Sequence, residues 1–326
     1  MAGGKTETII TVTTFCVALS LITVCLRCYV RLWVVRAFGW DDGLMVAAMG
    51  FNVGFVLCGF IGASYGMGQK LSYFLPDRLD EFRSAMLCWW LGRSFYIITV
   101  MLAKISIALM LLRITITRVH VWILYAIMSL SIIVGVLFFF FMVFECHPVD
   151  YFWNRFRMSG KCLDTNIAVG IVYVYSVGAA LSDLAIGILP VFLIWSLQMN
   201  KRSKIAVAGI LGIGCVAIIA VIVRIPYLHD YKNPDFLYGT VDIAIWSGVE
   251  AGLGITAGSL TTLRPLVRGF RAASRSSRNH VGTHQLEFIQ LSSMERLPEI
   301  TMITMHTRHQ NPRGSAEEHV EALSFV

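Results

Sequence analysis

The sequence predicts an all-α, polytopic membrane protein built as a seven-helix bundle, and three observations predict it. Apolar residues make up 56% of the 326 positions and charged residues only 14%. With a mean hydropathy of +0.69, this exceeds what a soluble core of that size needs. Seven apolar stretches, at about 9–35, 43–63, 85–112, 121–144, 166–197, 204–226 and 239–263, follow one another with short polar connections. Each is near or above the ~20 residues that cross hydrocarbon as a helix. Basic residues collect in alternate connections, as expected when successive spans run in opposite directions.

The spans should be helices because lipid offers backbone amides no partner, and they are too long and too evenly apolar for barrel strands. Residues 1–8 form a short outer amino terminus, so no outer module is expected ahead of the first span. The first span stays as an anchor: its apolar run continues past Leu21 without a small-residue cleavage site and ends in Arg27, Arg31 and Arg36. Those arginines join Arg113, Arg118, Lys201, Arg202, Lys204, Arg264 and Arg268 on one side, where the acids before the tail are chiefly Asp41 and Asp42. On the other side Lys70, Arg78, Arg83, Arg155, Arg157, Lys161 and Lys232 are interleaved with acids. The bias places the amino terminus outside and the carboxyl terminus in the cytosol. It also accounts for the net charge of +7, so nucleic acid is not an expected partner.

Outer cysteines fit this orientation. Cys146 and Cys162 bracket a loop containing Pro148, Trp153 and Gly160, and Cys58 could meet Cys88, so both pairs are disulfide candidates. The alternative is that these are unpaired apolar fillers. Trp89, Trp90, Trp153, Tyr73 and Phe74 suit an outer interfacial belt. Gly50 with Gly54, Gly248 with Gly252 and Gly254 with Gly258 carry small-residue spacing that lets helices approach, which wedges the seventh helix tightly. Beyond it, residues 264–273 place Arg264, Arg268 and Arg271 opposite Leu266, Val267 and Phe270, a pattern for an interfacial amphipathic helix or a plain stop signal. Residues 274–326 read as a disordered cytosolic tail.

Ionisable groups inside the spans carry the functional signal, because their insertion is costly and they normally face the bundle interior. In the third span Arg93 and Lys104 lie eleven residues apart, close to three helical turns, and share a face. In the fifth, Asp183 follows a stripe of Val172, Ser176 and Ala179. In the seventh, Asp242, Trp246 and Glu250 align at intervals of four, and Arg224 ends the sixth. Opposite charges at comparable depth predict convergence of the third, fifth and seventh helices on a polar cluster of Arg93, Lys104, Asp183, Arg224, Asp242, Trp246 and Glu250. That cluster is either a functional centre or an ion-pair lock that orders the helices. There is no phosphate-binding glycine loop, no nucleophile elbow and no metal-spaced Cys or His pair, and Glu145-Cys146-His147 reads as a disulfide neighbourhood. The seventh span has no lysine for a retinal Schiff base. No cofactor or metal is expected.

With these features placed, the chain resembles the fungal rhodopsin-domain integral membrane proteins, the satratoxin-cluster and Pth-type receptor-like group. The resemblance covers residues 9–270. It rests on Arg27-x-Tyr29-x-Arg31, Gly39-Trp40-Asp41-Asp42, Tyr65-Gly66-Met67-Gly68, Lys104, Cys146-x-Pro148 with Trp153, and Gly160-Lys161-Cys162. It continues through Ser182-Asp183 with Pro190, Trp195 and Gln198, then Trp246 with Glu250, and Thr262-Leu263-Arg264-Pro265-Leu266. Thr261 departs from the pattern, since similar sequences often carry proline there. The resemblance implies seven helices, a fungal source and association with secondary-metabolite gene clusters, without implying retinal. The functional expectation is a receptor-like or accessory protein that handles a lipophilic small molecule and contacts a cytosolic signalling partner through its inner loops and tail. The alternative is an intramembrane cyclase or isomerase with Asp183 or Glu250 as acid or base, and a transporter is third.

Overall fold

The computed structural model describes residues 3–115, 117–195, 219, 223 and 235–262. Among these, six helices are long and apolar enough to cross a membrane. They are α1 (Gly3–Tyr29), α2 (Trp40–Ser64), α3 (Leu79–Ile114), α4 (Arg118–Val143), α5 (Thr165–Trp195) and α6 (Val241–Thr261). The chain is a multi-pass helical membrane protein. The predicted sixth span at 204–226, with Arg224, lies outside the described residues, as do the interfacial helix at 264–273 and the tail.

α3 starts six residues before the predicted third span. At 1.5 Å per residue its 36 residues extend about 54 Å, well beyond a hydrocarbon core of about 30 Å. Asp80 and Glu81 in its first turn therefore stand clear of the core and complement the positive helix end. At the other end of the preceding connection, Gly66 and Gly68 have φ of +90° and +95°. Only glycine adopts these values without strain, and this turns the chain sharply after α2.

The first residues of α1, α3, α5 and α6 and the last of α2 and α4 gather on one face, termed here the amino-terminal face. Thr6 donates to the Met67 carbonyl at 3.3 Å, and the Leu71 amide donates to Asp235 at 2.9 Å. A two-stranded antiparallel ribbon, β1 (Cys146–His147) and β2 (Lys161–Cys162), closes over this end with Cys146 paired opposite Cys162. These two cysteines form a disulfide. Under the ribbon sits an aromatic layer in which Trp89 stacks at 5.9 Å on Phe152 and meets Phe236 edge-on at 4.8 Å. Trp89 and Phe74 are buried in this layer, so they do not belong to an interfacial belt. Tyr73 is exposed, and Trp90 packs edge-on against Trp153 at 5.4 Å.

Cys58 and Cys88 are free thiols, in contrast to the expected pair. The cause is a one-turn offset between α2 and α3. A Cβ built on Gly92 lies 3.5 Å from that of Cys58, and one built on Gly62 lies 3.3 Å from that of Cys88. Each cysteine thus faces a glycine on the opposing helix, and one turn separates the two levels.

The opposite face holds the most deeply buried charges described. Arg27 of α1 reaches Asp42 at 2.7 Å and Asp41 at 2.9 Å, all three at 1% exposure or less. Arg31 stands 3.4 Å and 3.6 Å from the same carboxylates, and Arg113 of α3 lies 2.8 Å from Asp41. The Asp41 carbonyl accepts from Ser106 at 2.6 Å, and Arg27 also donates to the Gly258 carbonyl at 3.1 Å. One network therefore ties α1, α2, α3 and α6. Asp42 accepts the Gly39 amide at 3.1 Å at the start of α2, and a Cβ on Gly39 would strike the Arg113 guanidinium.

The seventh predicted span, α6, is wedged by only some of its glycines. A Cβ on Gly252 would sit 2.8 Å from that of Cys16 and 3.3 Å from the Cys16 carbonyl oxygen. A Cβ on Gly258 would meet Met45 at 2.8 Å, whereas one on Gly254 of α6, or on Gly50 of α2, has nothing within 4 Å. Gly252→Leu is therefore expected to cost at least the roughly 1–3 kcal/mol of an overpacked core, while Gly254→Leu leaves stability unchanged. Thermal unfolding in nanodiscs checks both. Replacing Cys146 and Cys162 together by serine opens a loop with a sequence separation of 16. It should lower stability by about 3 kcal/mol, read in the same assay.

Candidate ligand cavity

Trp89, Arg93 and Tyr96 lie at helical spacing on one side of α3 and project beneath the aromatic layer. There they border a cavity enclosing about 780 Å³ of space between atoms, mouth included. Every described long helix contributes to the wall: Ile9 and Thr13 from α1, Phe55 from α2, Phe138 from α4, Tyr175 from α5 and Ser247 from α6 are examples. Phe138 and Tyr175 stack nearly parallel at 3.8 Å, giving the wall a flat aromatic segment.

Polar groups around this space are mostly committed. Thr13 donates to its own helix at the Ile9 carbonyl, 2.5 Å away, and Thr240 to the Phe236 carbonyl at 2.7 Å. Tyr96 donates to Glu250 at 2.6 Å. Arg93 is held on three sides. It donates to Glu145 at 3.0 Å and to the Met142 carbonyl at 2.9 Å, with its guanidinium carbon 4.7 Å from the Trp89 ring and 5.4 Å from that of Phe152.

The predicted polar cluster divides into separate places. Lys104 pairs with Asp183 at 2.9 Å and donates to Ser182 at 2.8 Å and to the Ala179 carbonyl at 3.2 Å. It borders a second, smaller recess among α3, α4 and α5 of about 350 Å³. Arg93 takes Glu145 as its partner, at the end of α4, rather than a carboxylate of the fifth or seventh span. The reason is depth: eleven residues along α3 separate Arg93 from Lys104 by about 16 Å, so one centre cannot serve both. Glu250 is buried beside Tyr96. Asp242 and Trp246 are half-buried, and the cavity is bordered instead by Thr240, Ile243, Ala244 and Ser247 of the adjoining stripe. Arg224 lies outside the described residues.

Three participants escaped the sequence reading. Glu145 was assigned to the disulfide neighbourhood, although its place one residue before Cys146 brings it back over α3. Tyr96 had a usable signal, three residues after Arg93 on the same face. The Arg27, Asp41 and Asp42 network was read only as topology-setting charge, yet two adjacent acids opening a span close to three arginines were the visible sign of it.

A profile for the fungal rhodopsin domain matches residues 26–269. An SAT4 family membrane protein of Emericella nidulans is 24% identical over 86% of this chain and 67% of its own length. Receptor GIN3 of Arthrobotrys oligospora is 24% identical over 71% of this chain, which spans 54% of that protein. Satratoxin biosynthesis SC1 cluster protein 4 of Stachybotrys chartarum is 24% identical over 35% of this chain and 39% of its own length. No solved structure matches. The matched region begins next to Arg27 and runs past the end of the last described helix, and the chain belongs to the fungal rhodopsin domain family.

Proposed function

We propose that this chain is a receptor-like or accessory membrane protein that holds a lipophilic small molecule in the cavity beneath the disulfide ribbon and serves secondary-metabolite biosynthesis. The observation that carries the reading is the cavity itself: all six described long helices converge on it, its walls are apolar and aromatic, and neither Asp183 nor Glu250 borders it. A site built to hold and report an apolar molecule needs such walls, whereas an acid or base must reach its substrate. The names of the relatives, a receptor and a biosynthesis cluster protein, agree with this reading.

Seven spans with an outer amino terminus belong to the same proposal. α5 enters beside Cys162 on the amino-terminal face and packs near its far end against Ala108, Met110 and Leu111 through Ile186 and Leu189. α6 is preceded by Asp235, which is again on the amino-terminal face. A seventh span in the apolar run at 204–226, which has the length a crossing needs, is consistent with these two ends. The disulfide supports an oxidising compartment on that face. A cytosolic signalling partner at the opposite face completes the receptor-like proposal.

The enzyme alternative has one favouring observation: Tyr96 both borders the cavity and donates to Glu250, a route by which a proton could reach a bound molecule. Deletion of the gene followed by metabolite profiling separates the two. The binding role predicts unchanged product structures with altered amounts, restored by a Glu250→Gln copy and not by Ala244→Phe, which fills the cavity. An accumulated unconverted precursor that neither Glu250→Gln nor Tyr96→Phe relieves would favour the enzyme.

A further inference from the structure

We infer that the face opposite the ribbon holds an anionic phospholipid, its headgroup phosphate paired with Arg113 and attracted by Arg36 and Arg118 of the same face. Charge counting leads there. Arg27 and Arg31 already set two guanidiniums against the carboxylates of Asp41 and Asp42, at distances from 2.7 Å to 3.6 Å. Arg113 arrives as a third cation, 2.8 Å from Asp41, so this network carries one positive charge more than its acids balance. The surplus lies at the accessible edge. Arg27 is 1% exposed and Arg31 16%, whereas the Arg113 side chain is 45% exposed, and beyond Asp41 it has no ion-pair partner among the described residues. A guanidinium so placed can take a phosphate through a pair of N–H groups while it keeps its inner carboxylate.

Two further cations stand on this face without an acid. Arg36 and Arg118 are exposed, and neither makes an ion pair among the described residues. Arg118 opens α4, and Arg36 follows the π-helical turn Val30–Val34 that continues α1. Arg36 has a φ of +53°, a backbone conformation that glycine enters at lower cost. A cation kept where glycine would be easier indicates that its side chain is used. The surroundings select the partner: Trp33 in the π-helical turn, Trp40 next to the Gly39 that Arg113 packs against, and Trp122 one turn from Arg118 are all exposed. Exposed indoles at helix ends sit at headgroup depth, so the arginines among them meet lipid phosphate rather than a protein surface beyond the bilayer.

The test places purified full-length protein in phosphatidylcholine nanodiscs doped with dansyl-labelled phosphatidic acid, phosphatidylserine or phosphatidylcholine, and reads energy transfer from the protein's tryptophans. At about fivefold per arginine, the acidic probes are expected to be enriched around the protein on the order of a hundredfold over labelled phosphatidylcholine. Arg113→Gln should lower that preference about fivefold, and Arg36→Gly combined with Arg118→Gln roughly twenty-fivefold. The combined variant relieves the backbone at Arg36 and breaks no ion pair, so its unfolding temperature in pure phosphatidylcholine should not fall. It decides alone if Arg113→Gln does not fold. Arg83→Gln with Lys161→Gln removes the same charge from the ribbon face and should leave the preference intact. An equal loss in that control would reduce the effect to general attraction and overturn the site, as would equal enrichment of all three lipids around the unaltered protein. Displacement of the acidic lipids by millimolar inorganic phosphate would overturn the lipid in favour of a soluble anion. Displacement by a polyglutamate peptide at micromolar concentration would overturn it in favour of an acidic protein partner.

Discussion

The Arg27, Asp41 and Asp42 contact is the interaction on which the arrangement depends. Two carboxylates and a guanidinium, each almost without exposure, meet at 2.7 Å and 2.9 Å at the end of the bundle remote from the cavity. Charges withdrawn from water are tolerated only when paired and hydrogen-bonded, and removing one partner leaves the others stranded at high cost. Because Arg27 also holds Gly258 and the Asp41 backbone holds Ser106, the pairing fixes α6 and α3 as well as α1 and α2. Such a contact specifies which helices are neighbours more than it adds net stability.

Fixing that end has a consequence at the other. Gly252 and Gly258 bring α6 into direct contact with Cys16 of α1 and with Met45 of α2 and Ile107 of α3, leaving little room there. Towards the amino-terminal face the gaps between helices are lined by aromatic side chains, and flat rings such as Phe138 and Tyr175 leave a space that aliphatic packing would close. The disulfide ribbon, with Phe152 carried in the loop it closes, covers this space. Arg93 stands where the ribbon meets the cavity, paired with Glu145 and lying against the Trp89 and Phe152 rings.

Much of this architecture was legible in the sequence. Six of the seven predicted spans coincide with described long helices to within about six residues at either end, as expected when hydrocarbon thickness fixes the number of residues. The Cys146 with Cys162 pair was one of two disulfide candidates, offered by two cysteines bracketing one short loop, and opposite charges at similar depth put Lys104 and Asp183 in one cluster without pairing them. What failed was partner choice. Arg93 and Cys58 each had a plausible mate by depth, but the mate was decided by the axial offset between α3 and its neighbours, which periodicity does not encode. Trp89 and Phe74 resembled a belt because position along a span says nothing about rotation. The buried contact in the Arg27 network was not legible because the same residues satisfy both the charge bias of topology and a buried lock, and only burial reveals the second.

The most direct test of this account is a double-mutant cycle on Arg27 and Asp42 in nanodiscs, using Arg27→Met, Asp42→Leu and their combination. Unfolding free energy should fall steeply in each single variant and recover in the double, with a coupling of about 3 kcal/mol or more between the two sites. Additive losses, with the double variant less stable than either single, would show that the pair does not hold the helices together and would contradict the account.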